Sequence, residues 1–125
     1  MEKKFRLRAS ADFRRVRKEG RSWAHPLLVL YVLSNTLGHN RFGFSVSRRI
    51  GGAVERNRVK RRMREAAWLF KDELNQGWDM VLIARAPISE AQFRLVKQAV
   101  EILLQRACLL RAADDSIHPY RTPKD

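Results

Sequence analysis

The sequence predicts an α+β domain with a mostly antiparallel sheet and helices packed on it. Three observations lead there. Helical and strand-like apolar patterns occur in the order helix, two strands, helix, strand, helix. At 125 residues and 45% hydrophobic content, the chain suits one domain with one modest core. Strands grouped with helices outside a regular βαβ alternation favour α+β layering.

The first helix is expected just after the basic segment Met1–Ala9. Ser10 can cap it, and Asp12 in the first turn complements the helix dipole. Phe13 and Val16 share one side, while Arg14, Arg15 and Lys18 carry charge. Gly20 is a natural stop. His25-Pro26 marks a boundary, because a residue before proline disfavours helix. Arg21–Ala24 is compatible with a further strand joined to the next through Pro26. Leu27–Leu33 reads as a buried strand, with Val29, Tyr31 and Leu33 on one face and Leu28, Leu30 and Val32 on the other.

After a polar turn over Ser34–Asn40, Arg41–Ser47 alternates as a second strand. Phe42, Phe44 and Val46 point to the core; Gly43, Ser45 and Ser47 point away. A face of small residues leaves two readings open. It admits a partner's backbone and offers hydroxyls, or it makes room for a covering helix.

The stretch Arg48–Glu65 holds eight cations against Glu55 and Glu65. From Val59, apolar residues recur at Met63, Ala66, Ala67, Phe70 and Leu74, a helical stripe. At about 100° per residue, the cations occupy the rest of the cylinder. Cations three and four apart repel by a few tenths of a kcal/mol per pair, so such a face implies a polyanionic partner. The helix is expected to start after Gly51-Gly52 and run to about Leu74, with Trp68 nearly opposite the stripe, either exposed to stack on a base or on neighbouring arginines, or covered by another part of the chain.

Trp78–Ala84 is the next strand. Ser89 and Gln92 form a capping-box pattern, with Ile88 and Phe93 as a staple, for a last helix with its stripe at Phe93, Val96, Val100, Leu103, Leu104 and Ala107. The folded domain is expected over 1–112. Residues 113–125, with Pro119 and Pro123, read as a disordered tail.

The net charge is +13, and all of it falls within residues 1–65; residues 66–125 balance to zero. That asymmetry suggests one electropositive surface for nucleic acid. Scattered aromatics argue against a membrane-surface role. With no apolar run near membrane length, no secretory pattern and one cysteine, the expected compartment is the cytoplasm. Carboxylates are not clustered for Mg²⁺, the histidines and Cys108 lack ligand spacing, and no phosphate-loop pattern occurs. The expectation is a polypeptide that binds and holds no catalytic or metal-ligating residues. No small-molecule substrate is expected.

Phe44-Ser45-Val46-Ser47-Arg48-Arg49-Ile50-Gly51, then Ala53-Val54, Arg56-Asn57-Arg58-Val59-Lys60-Arg61 and Arg64-Glu65 resemble the signature of the bacterial ribonuclease P protein family. The resemblance extends from about Leu7 to about Leu110. It implies a four-stranded sheet like that of ribosomal protein S5 domain 2, with a left-handed crossover carried by the basic helix. It implies a subunit of an endonuclease whose catalytic RNA cleaves precursor tRNA at its 5′ end. The Mg²⁺ would be held by that RNA-containing holoenzyme, and no cofactor by the protein. The partners would be ribonuclease P RNA and precursor tRNA.

By the same resemblance, Arg48, Arg49, Arg56, Asn57, Arg58, Lys60, Arg61 and Arg64 are expected to meet the catalytic RNA. Arg62 lies outside the recurring pattern and would add only charge. Phe13, Val29 and Tyr31 match a groove for the single-stranded leader, where Arg17, Ser45 and Ser47 are also expected. Arg17 departs from the family, which commonly has an aromatic residue there. Composition alone would equally fit a ribosomal protein; the Arg48–Glu65 string distinguishes the two.

Overall fold

The two faces of one sheet are covered differently, and that difference creates the functional surface. The computed structural model describes residues 1–111; the expected tail over 113–125 lies outside them. The elements are α1 (Ser10–Glu19), β1 (Arg21–Ala24), β2 (Leu28–Ser34), β3 (Arg41–Ser45), α2 (Ala53–Trp68), β4 (Trp78–Ala84) and α3 (Phe93–Arg106). The strand order is β1-β2-β4-β3. β1 and β2 pair antiparallel, as do β2 and β4, whereas β3 and β4 are parallel. The sheet is therefore mixed, with α2 as the crossover between its parallel neighbours. Arg21–Ala24 is the edge strand left open by the sequence.

Alternation along β2 and β4 separates two cores. Leu28, Leu30, Val32, Met80 and Leu82 face α2 and α3 in the main core. Val59, Met63, Ala66, Ala67, Phe70 and Leu74 are all buried there, as the stripe predicts. On the other face, Val81 packs with Leu7 and Val16 under α1, and Phe13, Tyr31, Leu33 and Ile83 lie beside them, partly exposed. One short helix cannot cover a four-stranded face.

Several boundaries differ from expectation. α2 ends at Trp68, and Leu74 reaches the core through a 3-10 turn over Lys71–Glu73. Of the two readings of Trp68 the covered one holds: half-buried, it packs on Phe5 and Phe42, with ring centroids 5.5 and 6.0 Å away. Ser10 is the first helical residue and caps nothing. Gly20 ends α1 at φ −83°, outside the left-handed region. Its role is close approach: an added Cβ would lie 2.5 Å from the Val16 and Val32 carbonyl oxygens. The predicted capping box is not formed. Ala86–Glu90 makes a 3-10 helix, and α3 begins at Phe93 without a side-chain cap.

Candidate nucleic-acid interface

The interface begins where β3 ends. Ser47 leaves the strand and its hydroxyl accepts the Arg49 N–H, so the chain folds into a 3-10 turn over Arg48–Ile50. Both arginines of that turn are exposed. Gly51 and Gly52 then lead into α2.

The period of 3.6 residues divides the polar side of α2 into three strips. One strip bonds to the protein itself. Arg58 pairs with Glu55 and donates to the Ser89 carbonyl at 2.9 Å. One turn later, Arg62 donates to the Ala91 carbonyl at 3.0 Å. Arg62 therefore pins α2 to the segment before α3, a role beyond the simple charge expected of it. The outward strip presents Asn57 and Arg61, both exposed, with Val54 85% exposed near its start. The third strip carries Lys60 and Arg64. Arg56 folds back to donate to the Gly51 carbonyl at 2.8 Å, closing the turn before the helix. Arg48, Arg49, Lys60, Arg61 and Arg64 make no ion pair among the described residues. A positive field thus remains on the surface.

Lys60 also reaches a second feature. Arg8, Ser10, Phe13, Arg14 and Arg17 form one wall of a groove of about 370 Å³; Phe44, Ser45, Val46, Ile83 and Lys60 form its floor and far wall. Arg17 lies over the Tyr31 ring, 5.7 Å from its centroid. Val29 sits in register with Ile83. Phe13, Arg17 and Ser45 are thereby gathered along the groove with Tyr31 alongside, while Ser47 lies in the turn. The sequence reading missed Arg8 and Arg14 here, and it assigned Lys60 to the helix surface alone. The spacing of Ser10, Phe13, Arg14 and Arg17 on one helical face carries that signal.

Gly43 explains how α1 sits so close. A Cβ there would fall 2.6 Å from Phe13 Cζ, so the missing side chain is the space the ring occupies. Of the two readings of the small-residue face, the covering helix holds at Gly43, and Ser45 stays open to the groove.

Asp79 locks this arrangement and was also missed. It is fully buried at the start of β4. Arg41 binds it through two bonds of 2.9 and 2.8 Å, Arg15 of α1 through one of 2.8 Å, and the Asn35 amide through another of 2.8 Å. Burial pushes the Asp79 carboxyl up, but hydrogen bonds from Arg41, Arg15 and Asn35 outweigh it and hold the group below its ordinary range. A satisfied buried carboxylate thus ties α1, the Ser34–Asn40 turn and β3 to β4.

Among the described residues, no group of three or more histidine, cysteine or acidic side chains could hold a metal ion. No described helix is long and apolar enough to cross a membrane. What the site offers is fixed cations and a groove with aromatic walls, suited to phosphates and unpaired bases.

Comparison with known proteins agrees with this chemistry. The family model for Ribonuclease P matches residues 1–108. The chain is 48% identical over 109 residues to the ribonuclease P protein component of Herpetosiphon aurantiacus, covering 87% of this chain and 89% of that one. It is 42% identical to that of Caldanaerobacter subterraneus, covering 86% and 93%. Among solved structures, the RNase P protein of Staphylococcus aureus matches with a TM-score of 0.78 at 33% identity, covering 86% of this chain and 98% of that one. The RNase P protein of Thermotoga maritima matches at 0.74 and 33%, covering 81% and 96%.

Proposed function

This chain belongs to the ribonuclease P protein family, and from that premise we propose that its two surfaces divide the work of tRNA 5′ maturation. The chain is the protein subunit of the endonuclease. The outward strip of α2 and the Arg48–Ile50 turn dock on the ribonuclease P RNA. The groove beneath α1 holds the single-stranded 5′ leader of precursor tRNA. The complex works in the cytoplasm.

The observation that carries this reading is that Arg48, Arg49, Lys60, Arg61 and Arg64 are free of ion pairs among the described residues, next to a groove lined by Phe13. Guanidinium forks match phosphate oxygens two at a time, and neutralising each phosphate releases a bound counterion. Asn57, exposed between them, can donate and accept toward a base edge. Arg56 and Arg58 shape this surface, since each also bonds within the fold.

In the groove, Phe13 offers a ring to a base, and Lys60, Arg8 and Arg14 offer charge to the phosphates between bases. Lys60 joins the two surfaces, so a leader held in the groove runs past the docked RNA. Mg²⁺, if held by the RNA partner, would supply the activation of water for hydrolysis. The polypeptide's part is to position the leader and raise affinity for leader-bearing substrate.

Paired variants test the division. Arg49→Ala with Arg61→Ala should weaken assembly with the catalytic RNA. Phe13→Ala should spare assembly and lower affinity for leader-bearing tRNA but not for leaderless tRNA. Equal damage to the same step by both would contradict the two-surface reading.

A further inference from the structure

We propose that Arg17 makes the groove selective for guanine at one leader position. The inference rests on the groove holding the leader. Arg17 is exposed on α1, one turn beyond Phe13, and its guanidinium lies over the Tyr31 ring at 5.7 Å. That cation–π contact restrains a side chain that would otherwise sample many rotamers.

The donors of Arg17 are free. Arg15, Arg41, Arg56, Arg58 and Arg62 all donate to protein oxygens, whereas Arg17 makes no hydrogen bond or ion pair among the described residues. The fork is therefore held near the Tyr31 ring while its N–H donors are unsatisfied. The groove's other cations, Arg8, Arg14 and Lys60, remain for the leader's phosphates.

A ring at this position would stack any base, because every base has a π face. A guanidinium edge discriminates, because it donates and never accepts. Guanine presents two neighbouring acceptors, O6 and N7, that match the fork. Adenine places an amino donor beside N7, and uracil separates its two carbonyls by a donating N3–H. Cytosine's neighbouring acceptors, O2 and N3, lie on its Watson–Crick edge, a competing match that replacing guanine N7 distinguishes. Arg17 over Tyr31 thus turns a base-tolerant platform into a reader of one base.

The test measures affinity of the reconstituted holoenzyme for precursor tRNAs under non-cleaving conditions. Each leader position near the cleavage site carries G, A, C or U in turn, with leaderless tRNA as reference. One position should prefer guanine by about tenfold, in the lower half of the range for a two-bond arginine–guanine contact. 7-Deazaguanine, which lacks N7, should lose most of that preference. Arg17→Phe should abolish it while the leader still strengthens binding, and Arg17→Lys, which keeps donors but loses the planar fork, should reduce it. Equal affinity for all four bases at every position, with the leader still strengthening binding, would overturn the role of Arg17 and leave the groove reading intact. A guanine preference that survives Arg17→Phe would also overturn it. No advantage of leader-bearing over leaderless tRNA would defeat the groove reading itself, and this inference with it.

Discussion

Replacing Gly43 with alanine adds one carbon at the point where α1 meets the sheet. The new Cβ would sit 2.6 Å from Phe13 Cζ, 3.0 Å from Phe13 Cε2 and 3.1 Å from Leu7 Cβ. Ordinary van der Waals contact begins near 3.4 Å, so the ring must retreat by most of an ångström or α1 must lift. Lifting is opposed by the Arg15–Asp79 bond, which leaves ring displacement as the easier response. Overpacking of this kind costs about 1–3 kcal/mol. Removing a glycine from the unfolded chain returns about 0.4–1 kcal/mol. The net loss is about 1–2 kcal/mol, a fall in Tm of roughly 4–10 °C for a domain of this size. Thermal unfolding at fixed ionic strength measures it. Combining Gly43→Ala with Phe13→Ala removes the obstructing ring, so the two effects should be non-additive by about 1 kcal/mol. An unchanged Tm in the single variant, or strict additivity in the double, would refute the packing of Phe13 on Gly43. The displaced ring also enters the groove, so Gly43→Ala should weaken leader-bearing substrate more than catalytic RNA.

Asp79→Asn should cost about 3 kcal/mol, at the low end for a broken buried pair because Arg15 and Arg41 keep contact with water. The folded Asp79 carboxyl is held below its unfolded value, so its contribution is present above about pH 4 and lost as pH falls through the folded pKa. Urea unfolding from pH 7 to 3 should therefore fall less steeply in Asp79→Asn than in the wild type, and equal slopes would argue against the lock. Arg58→Ala and Arg62→Ala should each lower stability by about 1 kcal/mol through the lost carbonyl bonds. Arg49→Ala and Arg61→Ala should leave Tm unchanged and weaken RNA binding, a contrast that thermal unfolding and filter binding read together. If about six phosphates are neutralised, log affinity against log salt should slope at roughly −4 to −5. A slope near zero would remove the electrostatic basis of docking.

Periodicity revealed what repeats locally. The α2 stripe was legible down to Leu74 even though the helix stops at Trp68, because a tighter turn still returns Phe70 and Leu74 to the same core. The start of α3 was not legible. Ser89 and Gln92 have the right types and spacing, but Arg58 takes the Ser89 carbonyl that a helix from that point would give to its own backbone. Asp79 was invisible for a related reason. Its partners come from positions 15, 35 and 41, on three separate elements, and nothing in a window around Asp79 signals them. The parallel pairing of β3 with β4 likewise depends on how α2 packs, which strand patterns do not encode. The groove was only partly legible. Phe13, Arg17 and Tyr31 were expected there, whereas Lys60 joins it only because α2 turns its flank toward β3.

The most direct measurement compares cleavage of precursor tRNA at low Mg²⁺ by a bacterial ribonuclease P RNA alone, by this protein alone, and by the two together. The account predicts slow cleavage by the RNA, none by the protein, and a large gain for the pair that depends on the leader and on Arg49 and Arg61. Cleavage by the RNA-free protein, or a mixture no faster than the RNA alone, would contradict it.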